Sequence, residues 1–331
     1  MSMAADKLYV VTGGAGFIGS NIAAALAAQG RRVVVVDWLE IGDKWRNLAP
    51  VAVHDVIRPD AVMPWLAAHA GEVAAIVHMG AISATTERDG DRLVSENIRL
   101  TLDLWDWCAV HAAPFIYASS AATYGDGLEG FDDDGSPAAL ARLRPLNAYG
   151  WSKHLVDRRI AADVAEGRPA PPVWAGLKFF NVYGPNEGHK GPMRSVALQL
   201  YETLSAGAEV KLFRSHRPDY ADGGQLRDFV YVADCVAVVL WMLEQPRLAG
   251  LYNMGAGRAR SFLDLAHAVF RAMGRTPEVA YIDTPEAIRD RYQYFTEAKM
   301  ERLGAAGFAQ PFHSLEDGVA AYVDWLNRQT V

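Results

Sequence analysis

The chain has 331 residues, 51% of them hydrophobic and 21% charged, with a formal net charge of −7. That length and apolar content suffice for a full core, which excludes a disordered chain or a small cross-linked scaffold, and the acidic balance argues against a general nucleic-acid binder. Cys108 and Cys235 are the only cysteines, and neither sits in a CxxC or Cys/His spacing, which offers no structural zinc site and fits a reducing, cytoplasmic compartment.

From Leu8 to Gly30 the chain runs 23 residues without a charge, long enough to nominate a membrane span. Gly13, Gly14, Gly16, Gly19 and Gly30 interrupt that stretch, as do Thr12, Ser20, Asn21 and Gln29, and no basic segment with a small-residue cleavage pattern accompanies it. A buried strand, a glycine turn and a helix account for it better, and no membrane association is expected. Short β-branched runs follow at residues 8–12, 33–37, 74–78 and 114–119. Helical periodicity at 17–29, 61–70 and 91–111 separates them. Such alternation predicts an α/β fold, a Rossmann-type doubly wound parallel sheet.

Residues 125–145 are rich in Gly, Asp and Pro and read as a surface loop. A helix over 148–166 and a strand over 173–180 come next. After Asn181 the texture becomes irregular, with Gly/Pro/His/Arg loops and no further glycine fingerprint. The expectation is a Rossmann-type domain over 1–181 plus about 228–258, whose later part returns strands near 228–232 and 250–254. A smaller, partly discontinuous α/β substrate-binding region would then cover 182–227 and 259–331.

The spacing Gly13-x-x-Gly16-x-x-Gly19 follows the first strand and opens the first helix. Glycines there allow a tight turn, close approach of backbone to a pyrophosphate and close helix packing, with the phosphates at a helix N-terminus. Asp37 ends the second strand, where a carboxylate binds ribose hydroxyls and favours NAD, whereas Lys44 and Arg58 in the adjacent loops could reach a 2′-phosphate.

Ser120, Tyr149 and Lys153 carry the chemical signal. Tyr149 and Lys153 are four apart, so one helix face presents both, and a neighbouring ammonium is expected to lower the phenol from about 10 and make phenolate accessible. Ser120 closes the strand at 114–119, at the sheet edge where ligands bind.

Together the segments VTGGAGFIGSN, YASSAATYG and YGWSK make the sequence resemble the extended short-chain dehydrogenase/reductase family over nearly its whole length. The dehydratase branch of that family carries Asp-Glu after the catalytic Ser/Thr; this chain has Ala121-Ala122 and lacks those proton shuttles. FFNVYGP at 179–185, EGHKG at 187–191, Ser83 to Thr86 with Glu87 and Gly90, RDFVYV at 227–232 and RYQ at 291–293 further resemble the ADP-glyceromanno-heptose 6-epimerase family.

That resemblance implies an isomerase that transiently oxidises C6 of an ADP-heptose with tightly bound NADP, or NAD, in lipopolysaccharide precursor synthesis. Tyr149 would be one acid/base and Lys190 a second, with Ser120 and Lys153 assisting. Lys190 has two alternative readings, a phosphate ligand or an ion-pair partner of Glu187. The resemblance further implies cofactor contacts at Phe17, Ile18, Trp38, Met79, Gly80, Ala81, Ser83, Asn97 and Val182. Substrate contacts would come from Ser120, Asn181, Lys190, Gln199, Phe213, Arg227 and Tyr292, and the assembly would be a homo-oligomer. Two departures touch the substrate contacts: the stretch 216–224 is long for the family, and Pro192 replaces an expected serine. Another nucleotide-sugar epimerase or oxidoreductase, such as a UDP-hexose 4-epimerase, is the alternative enzyme; a non-catalytic nicotinamide-binding regulator is the alternative outside enzymes. Lys178 to Arg227 hold 7 cations against 5 acids, although the chain as a whole is acidic.

Overall fold

A computed structural model describes residues 7–289 and 293–329. Its strands in chain order are β1 (Leu8–Thr12), β2 (Arg32–Val36), β3 (Asp55–Ile57), β4 (Val73–His78), β5 (Phe115–Ser120), β6 (Val173–Phe179), β7 (Asn181–Tyr183), β8 (Val210–Phe213), β9 (Leu226–Tyr231), β10 (Leu248–Met254), β11 (Ala259–Ser261) and β12 (Val279–Ile282). Seven of them form one sheet in the order β10-β6-β5-β4-β1-β2-β3, and every pairing in it is parallel. The order reverses direction between β1 and β4, so a crevice opens there beyond the carboxyl ends of the strands.

Crossover helices cover both faces: α1 (Phe17–Ala28), α2 (Val62–Ala68), α3 (Gly90–Leu93) running through a π-helical turn at Val94–Arg99 into α4 (Leu100–His111), then α5 (Pro137–Leu140) and α6 (Ala148–Ala165). Residues 33–36 of β2 are all buried valines, the continuous apolar run that a strand covered on both faces requires. Alternate side chains divide between two cores. Val10, Val34, Ile76 and Phe115 pack with Trp105 and Trp174 on one face, while Val11, Val35, Val77 and Ile116 pack on the other with Ile22, Leu26, Val238 and Met242.

The later elements are α7 (Val196–Ser205), α8 (Val232–Leu243), α9 (Phe262–Ala272), α10 (Glu286–Arg289), α11 (Glu301–Ala305) and α12 (Leu315–Gln329). A third core of Leu198, Leu212, Leu265, Val269 and Val319 joins α7, α9 and α12 to β8. Here β12 pairs with β8, and β9 is flanked by β7 and β11.

One expectation needs correction, one needs refinement, and one strand was not anticipated. Strand β10 returns to the main sheet as anticipated, but β9 does not, because its pairing edges are taken by β7 and β11. Residues 125–145 run over the surface as expected, but the segment is anchored and carries the short helix α5. Phe131, Leu140 and Leu143 are buried, and Asp133 accepts the Asn253 N–H while the Asn253 amide donates to the Phe131 carbonyl. Those anchors lie about 120 residues away in sequence, beyond any local composition signal. The edge strand β3 was not anticipated, since its three residues fall below the length at which a β-branched run stands out. Among the described residues, no helix is long and apolar enough to cross a membrane.

Candidate active site

At the end of β1 the chain turns through Gly13 at φ +63°, and a Cβ there would lie 2.6 Å from the Gly80 nitrogen, so only glycine allows β1 and the segment after β4 to approach this closely. Helix α1 starts just beyond. Its N-terminus has no side-chain cap and no acidic residue in the first turn, which leaves amide donors and the positive end of the helix dipole for an anion. Asp37 is buried beside the turn, where its Oδ2 accepts the Ala15 N–H at 2.8 Å and its Oδ1 the Lys44 ammonium at 2.6 Å. Lys44 also donates to the Trp38 carbonyl, and the Arg58 guanidinium lies 4.6 Å over the Trp38 ring. This arrangement fits a dinucleotide: phosphates against α1, and an adenosine ribose near Asp37 with two cations within the same cluster.

A cleft of about 1270 Å³ continues from the turn over the ends of β4, β5 and β6. Phe17, Ile18, Met79, Ala81, Ser83, Ser120, Tyr149, Lys153, Asn181, Val182, Lys190 and Arg227 all line it. Gly13, Gly16, Gly19, Asp37, Trp38, Lys44 and Gly80 gather around the glycine turn rather than along the cleft wall.

Helix α6 places two of the reacting groups. Asn147 caps it by accepting the Gly150 N–H at 2.8 Å. A Cβ on Gly150 would stand 2.7 Å from the Ala122 carbonyl, so the glycine lets α6 press against the turn that follows Ser120. That contact places Tyr149 beside Ser120 at the cleft wall. The expected lowering of the phenol is not what the geometry produces: burial raises it, and the Ser120 hydroxyl only opposes that rise. Burial brings the Lys153 ammonium down to about 8, with Asp157 one helical turn on acting against the fall. Lys153 has no hydrogen-bond or ion-pair partner among the described residues, and it lines the cleft.

Lys190 comes from a different element, the 3₁₀ turn Gly188–Met193, and its ammonium lies 5.2 Å over the Phe17 ring. Burial lowers it while Glu187 opposes the shift. The two do not form an ion pair. The Glu187 carboxylate is buried and already accepts the Ser195 hydroxyl at 2.7 Å, the Ser195 N–H and the Gly184 N–H. Asn181 and Arg227 reach the cleft from β7 and β9, Arg227 with its guanidinium 5.6 Å over the Phe262 ring.

Other expected contacts are not brought to the cleft. Asn97 is buried, exchanging hydrogen bonds with the Ile82 backbone and donating to the Ser152 hydroxyl, so its polar capacity is spent tying the segment after β4 to α6. Gln199 is exposed on α7 and donates to the Arg194 carbonyl, and Phe213 lies at the end of β8 outside the cleft lining. Tyr292 falls outside the described residues. Sequence reasoning missed Arg88, a cleft-lining cation with no ion pair among the described residues, although the hydroxyl-rich run at 83–86 beside it was noticed. It also missed Asn147 and Gly150, which position Tyr149.

A family model described as the NAD dependent epimerase/dehydratase family matches residues 9–255. The chain belongs to that family. Among relatives of this epimerase/dehydratase chain, the ADP-L-glycero-D-manno-heptose-6-epimerase of Nitratidesulfovibrio vulgaris (strain DP4) is 50% identical over 325 residues, covering 96% of this chain and 97% of that one. The enzyme of the same name from Fusobacterium nucleatum is 45% identical over 326 residues, with 96% and 97% covered. In solved structures, the Helicobacter pylori ADP-L-glycero-D-manno-heptose-6-epimerase superposes with a TM-score of 0.81 at 28% identity, covering 99% and 98%. Thermus thermophilus UDP-glucose 4-epimerase in complex with NAD gives 0.75 at 26% identity, covering 97% and 99%. The resemblance read from the motifs is thus borne out, as are the doubly wound sheet and an enzyme that works with a nicotinamide cofactor.

Proposed function

We propose that this enzyme interconverts ADP-D-glycero-D-manno-heptose and ADP-L-glycero-D-manno-heptose by transient oxidation at C6. The observation that carries the reading is that one cleft receives two amine or phenol groups from separate elements, Tyr149 on α6 and Lys190 on the 3₁₀ turn. The two epimers direct their C6 hydroxyls to different sides, so inversion through a ketone is served by one proton-transfer group for each. A nicotinamide cofactor with its phosphates at the glycine turn would supply the hydride acceptor and donor. Tyr149, beside Ser120, takes the hydroxyl proton of one epimer as the ketone forms. Lys190 returns a proton to the carbonyl oxygen when hydride adds from the other face. Lys153, unpaired in the cleft, is suited to hold ribose hydroxyls and to stabilise the Tyr149 phenolate, and Arg227 is suited to a diphosphate. Ala121 and Ala122 leave no acid/base pair for water loss.

The names of the relatives support this substrate. NADP is the preferred cofactor on this reading, supported by Lys44 and Arg58 around Asp37 and Trp38. Replacing both cations by alanine should weaken NADP binding by about 10- to 100-fold, as expected for losing two charge-assisted contacts, and change NAD binding little; equal losses for both would assign NAD. The enzyme is read as a cytoplasmic homo-oligomer serving lipopolysaccharide core precursor synthesis, with exposed Val110, Trp151 and Val164 on α4 and α6 as apolar surface available to a second copy.

The deciding experiment offers ADP-D-glycero-D-manno-heptose in D₂O and follows the C6 proton by NMR, with UDP-glucose as control. Inversion with the proton retained at C6 is expected. Deuterium at C6 would reject direct hydride return, and turnover of UDP-glucose alone would reassign the substrate.

A further inference from the structure

Beneath the reacting groups lies a charged cluster that the chemistry above does not use. Lys178 on β6 and Asp157 on α6 are both fully buried and form an ion pair at 2.7 Å. Asp157 is engaged on both oxygens: Oδ1 accepts the Tyr117 hydroxyl at 3.0 Å, while Oδ2 accepts the Ser119 hydroxyl and the Lys178 ammonium, both at 2.7 Å. Lys178 donates a second time to the Thr123 hydroxyl at 2.7 Å and sits 5.0 Å over the Tyr124 ring. Thr123 in turn donates to the Ser120 carbonyl. The cluster therefore joins β5, β6 and α6 directly behind Ser120, Tyr149 and Lys153.

A buried ion pair alone is weak evidence of a stabilising role, because an apolar pair of similar volume frequently serves as well. Its position suggests another use. Tyr149, Lys153 and Asp157 follow one another at four-residue spacing, so a single face of α6 carries all three. Lys153 is buried and lacks any partner among the described residues, and Asp157 is the anion one turn away. A buried ammonium without an anion nearby loses its proton, whereas one within a helical turn of a fixed carboxylate keeps it.

We propose that Asp157, fixed in place by Lys178, Ser119 and Tyr117, is the internal counter-ion of Lys153, and so is a positioning residue for the Tyr149–Lys153 couple. It acts through the field across one turn of α6, since no contact joins it to Lys153. The other titratable or charged groups around the two are Tyr117 from β5, His78 from β4, Lys178 from β6, and Tyr149 and His154 on α6 itself. His78 is fully buried and held neutral, with burial pulling it down to about 3, and it lies between the Thr12 and Thr101 hydroxyls. His154 is likewise neutral, lowered to about 4 by burial. That leaves Asp157 as the one anion in the set, apart from Tyr149 in its phenolate form. The proposal rests on the Tyr149–Lys153 couple being catalytic, but its test does not depend on turnover.

The test replaces both members of the pair, Asp157→Asn with Lys178→Met, so that neither charge is left buried and alone. The full chain carrying its nicotinamide is dimethylated at lysine with a ¹³C label, and the Lys153 resonance, assigned by its loss in Lys153→Arg, is titrated by NMR. The double variant should move the Lys153 midpoint down by about one unit or more, which at the pH of the original midpoint cuts the protonated fraction about fivefold. Lys178→Arg, which preserves the charge, should leave the midpoint in place. A folded double variant with an unchanged midpoint would overturn the proposal and reduce the cluster to a packing element. Should Met at 178 prevent folding, Asp157→Asn with Lys178→Gln removes the same charges while keeping a hydrogen-bonding pair, and the same midpoint decides. Failure of the epimerase reading would appear instead as absent C6 inversion with the Lys153 shift intact.

Discussion

The two groups assigned to proton transfer stand on unlike supports. Tyr149 rises from an 18-residue helix whose start is capped by Asn147 and locked against the Ala122 carbonyl by Gly150. Lys190 stands on a six-residue 3₁₀ turn broken by Gly191 at φ +53° and by Pro192, and the buried Glu187 carboxylate ties together the residues that flank it, Gly184 and Ser195. One side is fixed by a regular element and its neighbours along the chain. The other is fixed by a few polar contacts within a loop. The lesson is that equal chemical importance does not imply equal structural insurance, and substitutions separate the two sides accordingly.

The largest effect should come from the helix side. Tyr149→Phe removes the hydroxyl and leaves the packing in place, so C6 inversion should fall by about 10³-fold or more, at the upper end of what a positioned acid/base supplies. Folding should be unaffected, as thermal unfolding would show. Next, Lys190→Met should slow inversion by about 10²-fold while leaving nicotinamide reduction by one epimer measurable in the near ultraviolet. If Lys190 were only a phosphate ligand, the loss would appear in KM with kcat preserved. Retention of the full rate would remove it from the mechanism.

This contrast also explains what was legible in the sequence. Strands β1, β2, β4, β5 and β6 and their crossover helices follow short-range patterns, namely buried valine runs, a glycine turn and 3.6-residue periodicity, and they were read within a residue or two. Ser120, Tyr149 and Lys153 were legible because strand end and helix face are local geometry. Lys190 was legible only through resemblance, since no periodicity places a loop lysine over the Phe17 ring. The anchoring of 125–145 and the pairing of β9 depend on partners far along the chain, such as Asn253 and β11, so local composition could show neither. The expectation of an acidified Tyr149 erred for a related reason: helix spacing identifies a neighbouring cation, but it carries no information about how deeply the phenol is buried.

Acidity offers a graded test of the same contrast. Lys153, brought to about 8 by burial, must stay protonated to hold a phenolate, so kcat should decline about tenfold for each unit that pH rises beyond that midpoint. Lys190 is also lowered, by burial, and adds to the same alkaline limb whenever it serves as the acid. The residual rate of Lys190→Met separates them. If Lys153 sets the limb, the slow variant keeps its alkaline decline; if Lys190 sets it, the profile of the variant becomes flat there.

The smallest expected effect reaches the loop through its anchor. Glu187→Gln retains the shape of a side chain that accepts from Ser195 and Gly184, but a neutral amide accepts more weakly than a carboxylate and turns an NH₂ group toward donors. The cost should be about 1–3 kcal/mol of stability, the range for disturbing a buried hydrogen-bonded charge, read from denaturant unfolding. Inversion should slow only a few-fold, and the loss should fall on the step that requires Lys190. Nicotinamide reduction by the epimer that reacts through Tyr149 should keep its rate, because nothing on α6 depends on Glu187. Equal slowing of both half-reactions would show that the two supports are mechanically one, and the contrast between helix and loop would then fail.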